Sequence, residues 1–299
     1  MEKGLQSPAS FHLAGVIPVA GQPLEFEFPW HDCLQPIGRD YLAVERAVLE
    51  CAYAGCETIW IVCHDEMQPL IKHRLVDFVK DPCASHGNET ETEFYFDHRE
   101  IPIFYTPIHP KDRDKRDCLG WSVIYGAMVS YWNSRLISKW TIPDRWYVAF
   151  PYGVYEPSVV RPHRRKISSK KDFYLTSQKK TIKDGEYLGF TFDSDSFKEF
   201  RKIVRQGTGQ KVPGQDYLTA EALPLEKRWS ARFFPLAKIF EPAIIEGAMI
   251  VDVSWYHNID NWQGLCDFLG SEEQKSLESL TSDLKCGKFR YKGIATEKE

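Results

Sequence analysis

The chain has 299 residues, with 38 Lys and Arg against 42 Asp and Glu, which gives a net charge of −4. This length suits one large α/β domain or two small ones. The mildly acidic balance argues against nucleic acid as a partner. No apolar run is long enough to span a membrane, and the N-terminal MEKGLQSPASFHLAG lacks the apolar core of a signal peptide, so we expect a cytoplasmic protein without membrane contact.

The eight cysteines form no CxxC pair, and Cys51, Cys56 and Cys63 lie in apolar periodic stretches. A free thiol in such a stretch behaves as a small hydrophobic group. We therefore interpret the cysteines as reduced thiols, in preference to a zinc site or a disulfide framework.

The first elements in chain order are a strand, a helix and a second strand. Residues 14–20 are apolar and β-branched and end at Gly21, which indicates a buried strand followed by a loop. Asp40 is predicted to cap a helix with apolar residues at helical spacing, and Gly55 to end it. The apolar run 58–63 is the next strand. Short joints between these elements predict a right-handed βαβ unit and a parallel sheet.

The middle of the chain continues this alternation. We predict a helix over residues 68–80 and a third strand over residues 101–108. The run HPKDRDKRD at 109–117 alternates in charge and is interpreted as an exposed loop. A helix follows over residues 119–136, and WYVAF at 146–150 is the fourth strand. The whole pattern predicts an α/β protein with a doubly wound sheet.

A strongly basic stretch covers residues 160–183, with Phe173 and Tyr174 interleaved. It is either a solvated surface segment or a contact for an anionic sugar phosphate, an acidic protein or nucleic acid. Its cations are Arg161, Arg164, Arg165, Lys166, Lys170, Lys171, Lys179, Lys180 and Lys183. Beyond it, residues 185–206 predict a strand and a helix, and residues 243–253 a late strand or short hairpin.

Two regions are expected from this organisation. Residues 1–270 form the α/β domain, with the basic stretch as an insertion or surface segment. Residues 271–299 form a C-terminal helix and a charged tail.

Four strings of the sequence resemble, in order and spacing, the sugar-1-phosphate nucleotidyltransferases, a GT-A-like family. They are GVIPVAG at 15–21, LQPIGRDYLAVERAVLECAYAGCETIWIV at 34–62, DCLGWSVIYGA at 117–127 and WYHNIDNWQGLCDF at 255–268. The resemblance implies a GT-A/Rossmann-like nucleotidyltransferase fold with a mostly parallel central sheet and helices on both faces. It also implies a reaction that joins a sugar phosphate to a nucleoside triphosphate and releases pyrophosphate.

The same resemblance assigns roles to residues of this chain. Nucleotide-binding residues fall in the first loop and at the start of the helix over 119–136, namely Ala20, Gly21, Gln22, Gly120, Trp121 and Ser122. The alternative for the last three is an ordinary helix start, with Trp121 packed on the core. Candidates for phosphate contacts are Arg113, Lys115 and Arg116. An active enzyme of this kind would need Mg²⁺, and its two metal-binding aspartates would stand where this chain has Tyr152 and Asn258.

Several residues depart from the charges that this chemistry needs. The first loop contains Glu25 and Glu27 and no arginine, and Asp32 lies near the position of the usual lysine. The catalytic candidates are therefore Asp32, Asn258 and Asp260, the last only if the register shifts by two residues. Losing two cations and two metal ligands would lower the rate by many orders of magnitude.

Two further polar groups flank this region. His64 and Asp65 follow the second strand, where ligands bind in open α/β sheets, so they have either an acid–base or metal-binding role or a helix-capping role. His31 and Cys33 are the residue types that form a catalytic Cys/His nucleophile pair. Because catalytic pairs are set by the fold and not by adjacency in sequence, we interpret them as structural.

The sequence therefore predicts a nucleotidyltransferase-like protein that binds a nucleotide, sugar phosphate or nucleotide sugar, with impaired pyrophosphorylase activity. The alternative is a non-catalytic structural or assembly protein, in contact with a protein partner or with its own copies through aromatic and basic surfaces. An open pocket between residues 21–28 and Gly120, Tyr152 and Asn258 would favour catalysis. Trp121 or Tyr152 filling that space would argue against it.

Overall fold

The computed structural model describes residues 11–21, 28–75, 77–83, 100–208, 221 and 235–277. The strands are β1 Leu13–Pro18, β2 Pro36–Gly38, β3 Tyr41–Leu42, β4 Thr58–Cys63, β5 Phe78–Lys80, β6 Glu100–Pro107, β7 Arg145–Val148, β8 Gly153–Val154, β9 Phe173–Thr176, β10 Phe190–Phe192, β11 Met249–Asp252 and β12 His257–Asn258. The helices are α1 Ala43–Ala54, α2 Gln68–Leu75, α3 Pro110–Arg116, α4 Leu119–Ile137, α5 Arg164–Ile167, α6 Ser194–Gly207, α7 Leu236–Phe240 and α8 Trp262–Leu269.

Eight strands of the described residues form one sheet in the order β11-β9-β10-β7-β1-β4-β6-β5. The pairs β1–β4, β1–β7, β4–β6 and β9–β11 are parallel, whereas β10 and the edge strand β5 pair antiparallel with their neighbours. The predicted mixed α/β fold with a mostly parallel central sheet is confirmed. β1 lies inside the sheet and is buried along its whole length, as its apolar, β-branched sequence predicts.

Helices cover both faces of the sheet, because alternate side chains of β1 point to opposite sides. Leu13 and Ile17 belong to the apolar core beneath α1. Ala14 and Val16 belong to the core beneath α4, α6 and α7. A Cβ added at Gly126 of α4 would stand 2.7 Å from Val16 Cγ1, so that helix lies directly on β1.

The start of α1 differs from the prediction. The helix begins at Ala43 with Leu42 as the N-cap residue, and Glu45 Oε2 accepts the Leu42 N–H at 2.8 Å. Asp40 stands two residues earlier with a left-handed φ of 56° and pairs with Arg74. The predicted end is confirmed, since Gly55 has a φ of 92°.

Two other element predictions were wrong. The helix predicted over 68–80 ends at Leu75, and Phe78–Lys80 form the edge strand β5. The segment Phe-Val-Lys pairs antiparallel with β6, and its aromatic and β-branched residues favour a strand. The loop predicted over 109–117 is helix α3. His109 Nδ1 accepts the Lys111 N–H, and Pro110 occupies the first turn, where a missing N–H has no cost.

The basic stretch 160–183 is not a solvated surface throughout. It contains strand β9, whose Phe173 and Tyr174 are buried in the sheet and are therefore not available to stack on a ligand. Of the predicted C-terminal region, residues 278–299 lie outside the described residues. Among the helices that the structure describes, none has the length and apolar character needed to cross a membrane.

Candidate functional site

The edge of the sheet where β1, β4 and β7 end is closed by hydrogen bonds from neighbouring segments. After β1, the N–H groups of Val19 and Ala20 both donate to Val62 O at 2.9 Å. The carbonyl oxygens of these two residues are acceptors for side chains that approach from the segment after β7 and from α4. This edge is where an open α/β sheet ordinarily receives its ligand.

Tyr152 fills the space next to β1. It is fully buried, its hydroxyl donates to Val19 O at 3.1 Å, and its ring contacts the ring of Tyr187 edge-to-face at 5.5 Å. Burial, followed by the nearby Cys33 and Asp32, raises the pKa of the Tyr152 phenol well above its ordinary value. The side chain is therefore neutral at physiological pH and is not an anionic metal ligand.

Asp260 joins this group through a second tyrosine. The Tyr187 hydroxyl donates to Asp260 Oδ2 at 3.0 Å, and Asn258 Oδ1 accepts the Asp260 N–H at 2.9 Å. Asp32 is buried close by. The structure thus brings Asp32, Tyr152 and Asp260 together and turns the Asn258 side-chain oxygen toward the backbone. Nothing in the sequence pattern pointed to Tyr187.

The start of α4 packs against the loop after β1. A Cβ added at Gly21, whose φ is 84°, would stand 2.4 Å from the backbone of Cys118, and Ser122 Oγ donates to Ala20 O at 2.5 Å. Gly120 faces α7, since an added Cβ would stand 2.4 Å from Ile239 Cδ1. Of the six nucleotide-binding candidates, the described five are buried, and Gln22 lies outside the described residues.

Trp121 is also buried, and the Arg116 guanidinium lies over its ring at 4.5 Å. Arg116 Nε is 3.2 Å from Asp112 Oδ1, and Arg113 Nη2 is 3.1 Å from Glu66 Oε2. Both phosphate-contact candidates that the structure describes are therefore already paired with carboxylates. The side chain of Lys115, the third candidate, lies outside the described atoms.

His64 and His31 lie on the same side of this edge. His64 Nε2 is 2.9 Å from Asp117 Oδ1, and His31 Nδ1 accepts the Cys33 N–H at 3.4 Å. Burial, with a smaller contribution from His64, lowers the pKa of His31 to about 4, although Glu66 acts in the opposite direction. His31 therefore caps a short 3-10 helix as a neutral ring, in agreement with the structural interpretation of this pair.

An ion pair inside the protein holds the segment that carries Tyr152. Arg46 and Glu50 are fully buried on α1, with Arg46 Nη1 at 2.8 Å from Glu50 Oε2 and Arg46 Nη2 donating to Phe150 O at 2.6 Å. Glu50 Oε1 also accepts the hydroxyls of Tyr147 at 2.5 Å and Tyr155 at 2.7 Å. The sequence analysis missed this network, for which the only signal was a charged i, i+4 pair within an apolar helix pattern.

A packing role for Gly120 predicts a specific double-mutant result. Gly120→Ala is expected to cost about 1–3 kcal/mol, because the added methyl group overlaps Ile239. Ile239→Val removes the overlapping Cδ1 atom, so the double variant should be more stable than the sum of the two single changes predicts. Urea unfolding of the four proteins measures the coupling, and additive free energies would contradict the packing role.

The lowered pKa of His31 predicts weaker folding in acid. Because the folded state holds the ring neutral and the unfolded state protonates near pH 6.5, stability is complete above pH 6.5 and falls as the pH drops toward 4. We expect a loss of about 2–3 kcal/mol across this interval, with the partial exposure of the ring taken into account. His31→Asn, which keeps a capping acceptor, should flatten the profile, whereas His73→Asn at an exposed site should not.

Within the described residues, these features define a mixed α/β protein in which Tyr152 and the start of α4 occupy the carboxyl edge beside β1. The sequence matches no protein-family model and no curated protein sequence. The solved structures that share the fold include two nucleotidyltransferases. A glucose-1-phosphate thymidylyltransferase from Bacillus anthracis, in complex with sucrose, has 13% sequence identity to this chain and a TM-score of 0.52. The match covers 92% of this chain and 98% of the thymidylyltransferase chain. A UDP-glucose pyrophosphorylase without ligand has 10% sequence identity to this chain and a TM-score of 0.51. The match covers 91% of this chain and 100% of the pyrophosphorylase chain.

Proposed function

We propose that this chain is a nucleotidyltransferase-like binding protein that does not itself transfer nucleotidyl groups. The observation that carries the proposal is Tyr152, a buried neutral phenol bonded to Val19 O at the position where the resemblance implies a metal-binding aspartate. The paired Arg113 and Arg116 support it, because they would have to give up their carboxylate partners to reach a phosphate.

The residues at the two implied metal positions do not fit Mg²⁺. This ion takes charged oxygen ligands in octahedral geometry. Here a buried phenol and an amide whose oxygen accepts the Asp260 N–H replace two carboxylates. In the part of the chain that the structure describes, no group of three or more His, Cys, Asp or Glu side chains could hold a metal ion.

Pyrophosphate release tests the absence of turnover. The protein is incubated with each of the common nucleoside triphosphates, a panel of sugar 1-phosphates and Mg²⁺, and released pyrophosphate is measured. We expect no signal above a blank without protein, with an active glucose-1-phosphate thymidylyltransferase as the positive control. Release above the blank that follows the protein concentration would overturn the proposal.

Thermal unfolding tests the binding part of the proposal. A nucleotide, sugar phosphate or nucleotide sugar present at a hundredfold its Kd stabilises the folded state by about 2.7 kcal/mol, which is a readily measured shift in Tm. We expect such a shift with at least one ligand of these classes. A screen in which no ligand shifts the Tm would favour the assembly role instead.

The exposed end of α4 favours that assembly role as a second candidate function. Trp132, Leu136 and Ile137 are 53%, 83% and 78% exposed, and together they form an apolar surface of the kind that marks protein contacts. Sedimentation velocity of the protein and of Leu136→Glu/Ile137→Glu would test it. Self-association lost in the double variant would support an interface here, and a concentration-independent monomer would argue against contacts between copies.

A further inference from the structure

A short charged helix lies at the carboxyl edge of the sheet, between β6 and α4. Every residue of α3 after Pro110 is charged, and no residue of 109–117 belongs to an apolar cluster within the described part of the chain. The flanking residues Ile108 and Cys118 are both buried, and the Ile108 N–H donates to Cys63 O at 3.0 Å. The segment is therefore fixed at both ends and has no apolar anchor between them.

Side-chain charges hold α3 against the segment that follows β4. Arg113 Nη2 is 3.1 Å from Glu66 Oε2 and 3.5 Å from Asp65 Oδ2, and both carboxylate side chains are more than half exposed. The less exposed pair of His64 and Asp117, at 2.9 Å, holds the end of the helix. Ion pairs between exposed side chains are weak, and salt weakens them further, because water and counter-ions screen the charges. A seven-residue helix is not stable by itself either, so we expect α3 to open locally at a low cost in free energy.

The closed helix covers an aromatic pair at the start of α4. The Arg116 guanidinium lies over the ring of Trp121 at 4.5 Å, and the ring of Tyr125 lies 6.3 Å from that of Trp121. Trp121 is only 3% exposed, yet its indole N–H has no hydrogen-bond acceptor among the residues that the structure describes. A buried donor without an acceptor lowers the stability of the state that buries it. Opening of α3 would remove this cost, because it exposes the N–H to water.

We propose that α3 is a lid over Trp121, which charge holds shut and salt opens. When α3 moves away, the Arg116 guanidinium leaves the ring, and a planar apolar face and an N–H donor become accessible. Both groups can then contact a planar ring of a ligand. The opening itself does not depend on the function proposed above, whereas the use of the uncovered ring by a nucleotide rests on it.

Hydrogen exchange of the backbone amides, followed by mass spectrometry at constant pH, tests the opening. Peptides that span residues 109–117 are expected to exchange at least about threefold faster in ~1 M NaCl than at low ionic strength. Helix α6 serves as the reference, because the buried Phe200 and Val204 anchor it and its exchange should change less. The ratio of the two segments also removes the effect of salt on the exchange chemistry.

Variants of exposed residues assign the effect to the charges. Glu66→Gln removes the nearest carboxylate of Arg113, so it should speed exchange at 109–117 at low ionic strength and reduce the further gain caused by salt. The matched control is Asp77→Asn, which removes the exposed partner of Lys72 and should leave exchange at 109–117 unchanged. Both substitutions replace exposed side chains, so both proteins should fold.

A fluorine signal links the opening to Trp121. The protein is prepared with fluorotryptophan, and the fluorine NMR resonance of Trp121 is identified by its absence in Trp121→Phe. We expect this resonance to shift with salt in parallel with exchange at 109–117. The resonance of Trp146, which is buried against Phe192, should stay unchanged.

Exchange at 109–117 that is as slow as in α6 and insensitive to salt would overturn the proposal. A segment that opens while the Trp121 resonance stays fixed would overturn it too, because α3 would then not cover that ring. Failure of the proposed function looks different, since the lid would open with salt while no nucleotide, sugar phosphate or nucleotide sugar shifts the Tm.

Discussion

Arg46→Met is expected to lower the free energy of unfolding by about 3–5 kcal/mol, because it leaves the buried Glu50 carboxyl group without its ion-pair partner. It also removes the donor to Phe150 O and the cation that lies 4.4 Å from the ring of Tyr155. Methionine keeps much of the buried volume, so the loss measures the charge and its hydrogen bonds more than a cavity. Urea unfolding gives the value.

A matched control comes from an exposed ion pair. Lys72 Nζ is 2.9 Å from Asp77, and both side chains are half-exposed or more, so Lys72→Met should cost less than about 1 kcal/mol. Arg46→Met/Glu50→Met should recover part of the loss, although the hydroxyls of Tyr147 and Tyr155 then lack an acceptor. A cost for Arg46→Met as small as that of the control would contradict the role of this network.

Tyr152→Asp is expected to give an unstable protein that still releases no pyrophosphate. The change places a carboxylate in a fully buried site and removes an aromatic ring that packs on Tyr187, so we expect a loss of about 3–5 kcal/mol. Restoring the implied aspartate does not restore a metal site, since the Asn258 oxygen already accepts the Asp260 N–H. Urea unfolding and the pyrophosphate assay with Mg²⁺ measure the two effects.

Tyr152→Phe is the control for this prediction. It removes only the hydroxyl that donates to Val19 O and keeps the ring, so it should cost about 1 kcal/mol and remain folded. A folded Tyr152→Asp variant that releases pyrophosphate would mean that the carboxyl edge is one substitution away from catalysis, and the proposed function would then be wrong. If the Asp variant fails to fold, the assay on the Phe variant still tests whether the tyrosine hydroxyl suppresses turnover.

Local pattern accounts for the elements that the sequence predicted well. Strand β4 was predicted with its observed bounds, and α4 was one residue short, because long apolar periodic runs with clear breakers leave few alternatives. The edge strand β5 and helix α3 were missed. The first is stabilised by pairing with β6, and the second by a histidine cap and a proline in its first turn, two signals outweighed by the alternating charges.

The residues of the candidate site were likewise predicted only in part. The sequence pointed to Asp32, Tyr152 and Asp260 by their places in the resemblance, and the structure brings them together. It left Gly120 open between a ligand contact and an ordinary helix start, and the structure places that glycine in close contact with Ile239. A glycine needed for close packing and one needed for a ligand look the same in a single sequence, because both report only that a side chain does not fit.

The sequence by itself determined the alternation of strands and helices, the fold class and the unusual charges of the first loop, since periodicity and residue type depend on neighbours in the chain. Only the tertiary structure decided that the carboxyl edge is filled. The bonds responsible join Ser122 to Ala20, Tyr152 to Val19 and Arg46 to Phe150, over separations of 102, 133 and 104 residues. Such contacts depend on how the βαβ units pack, which no local pattern encodes.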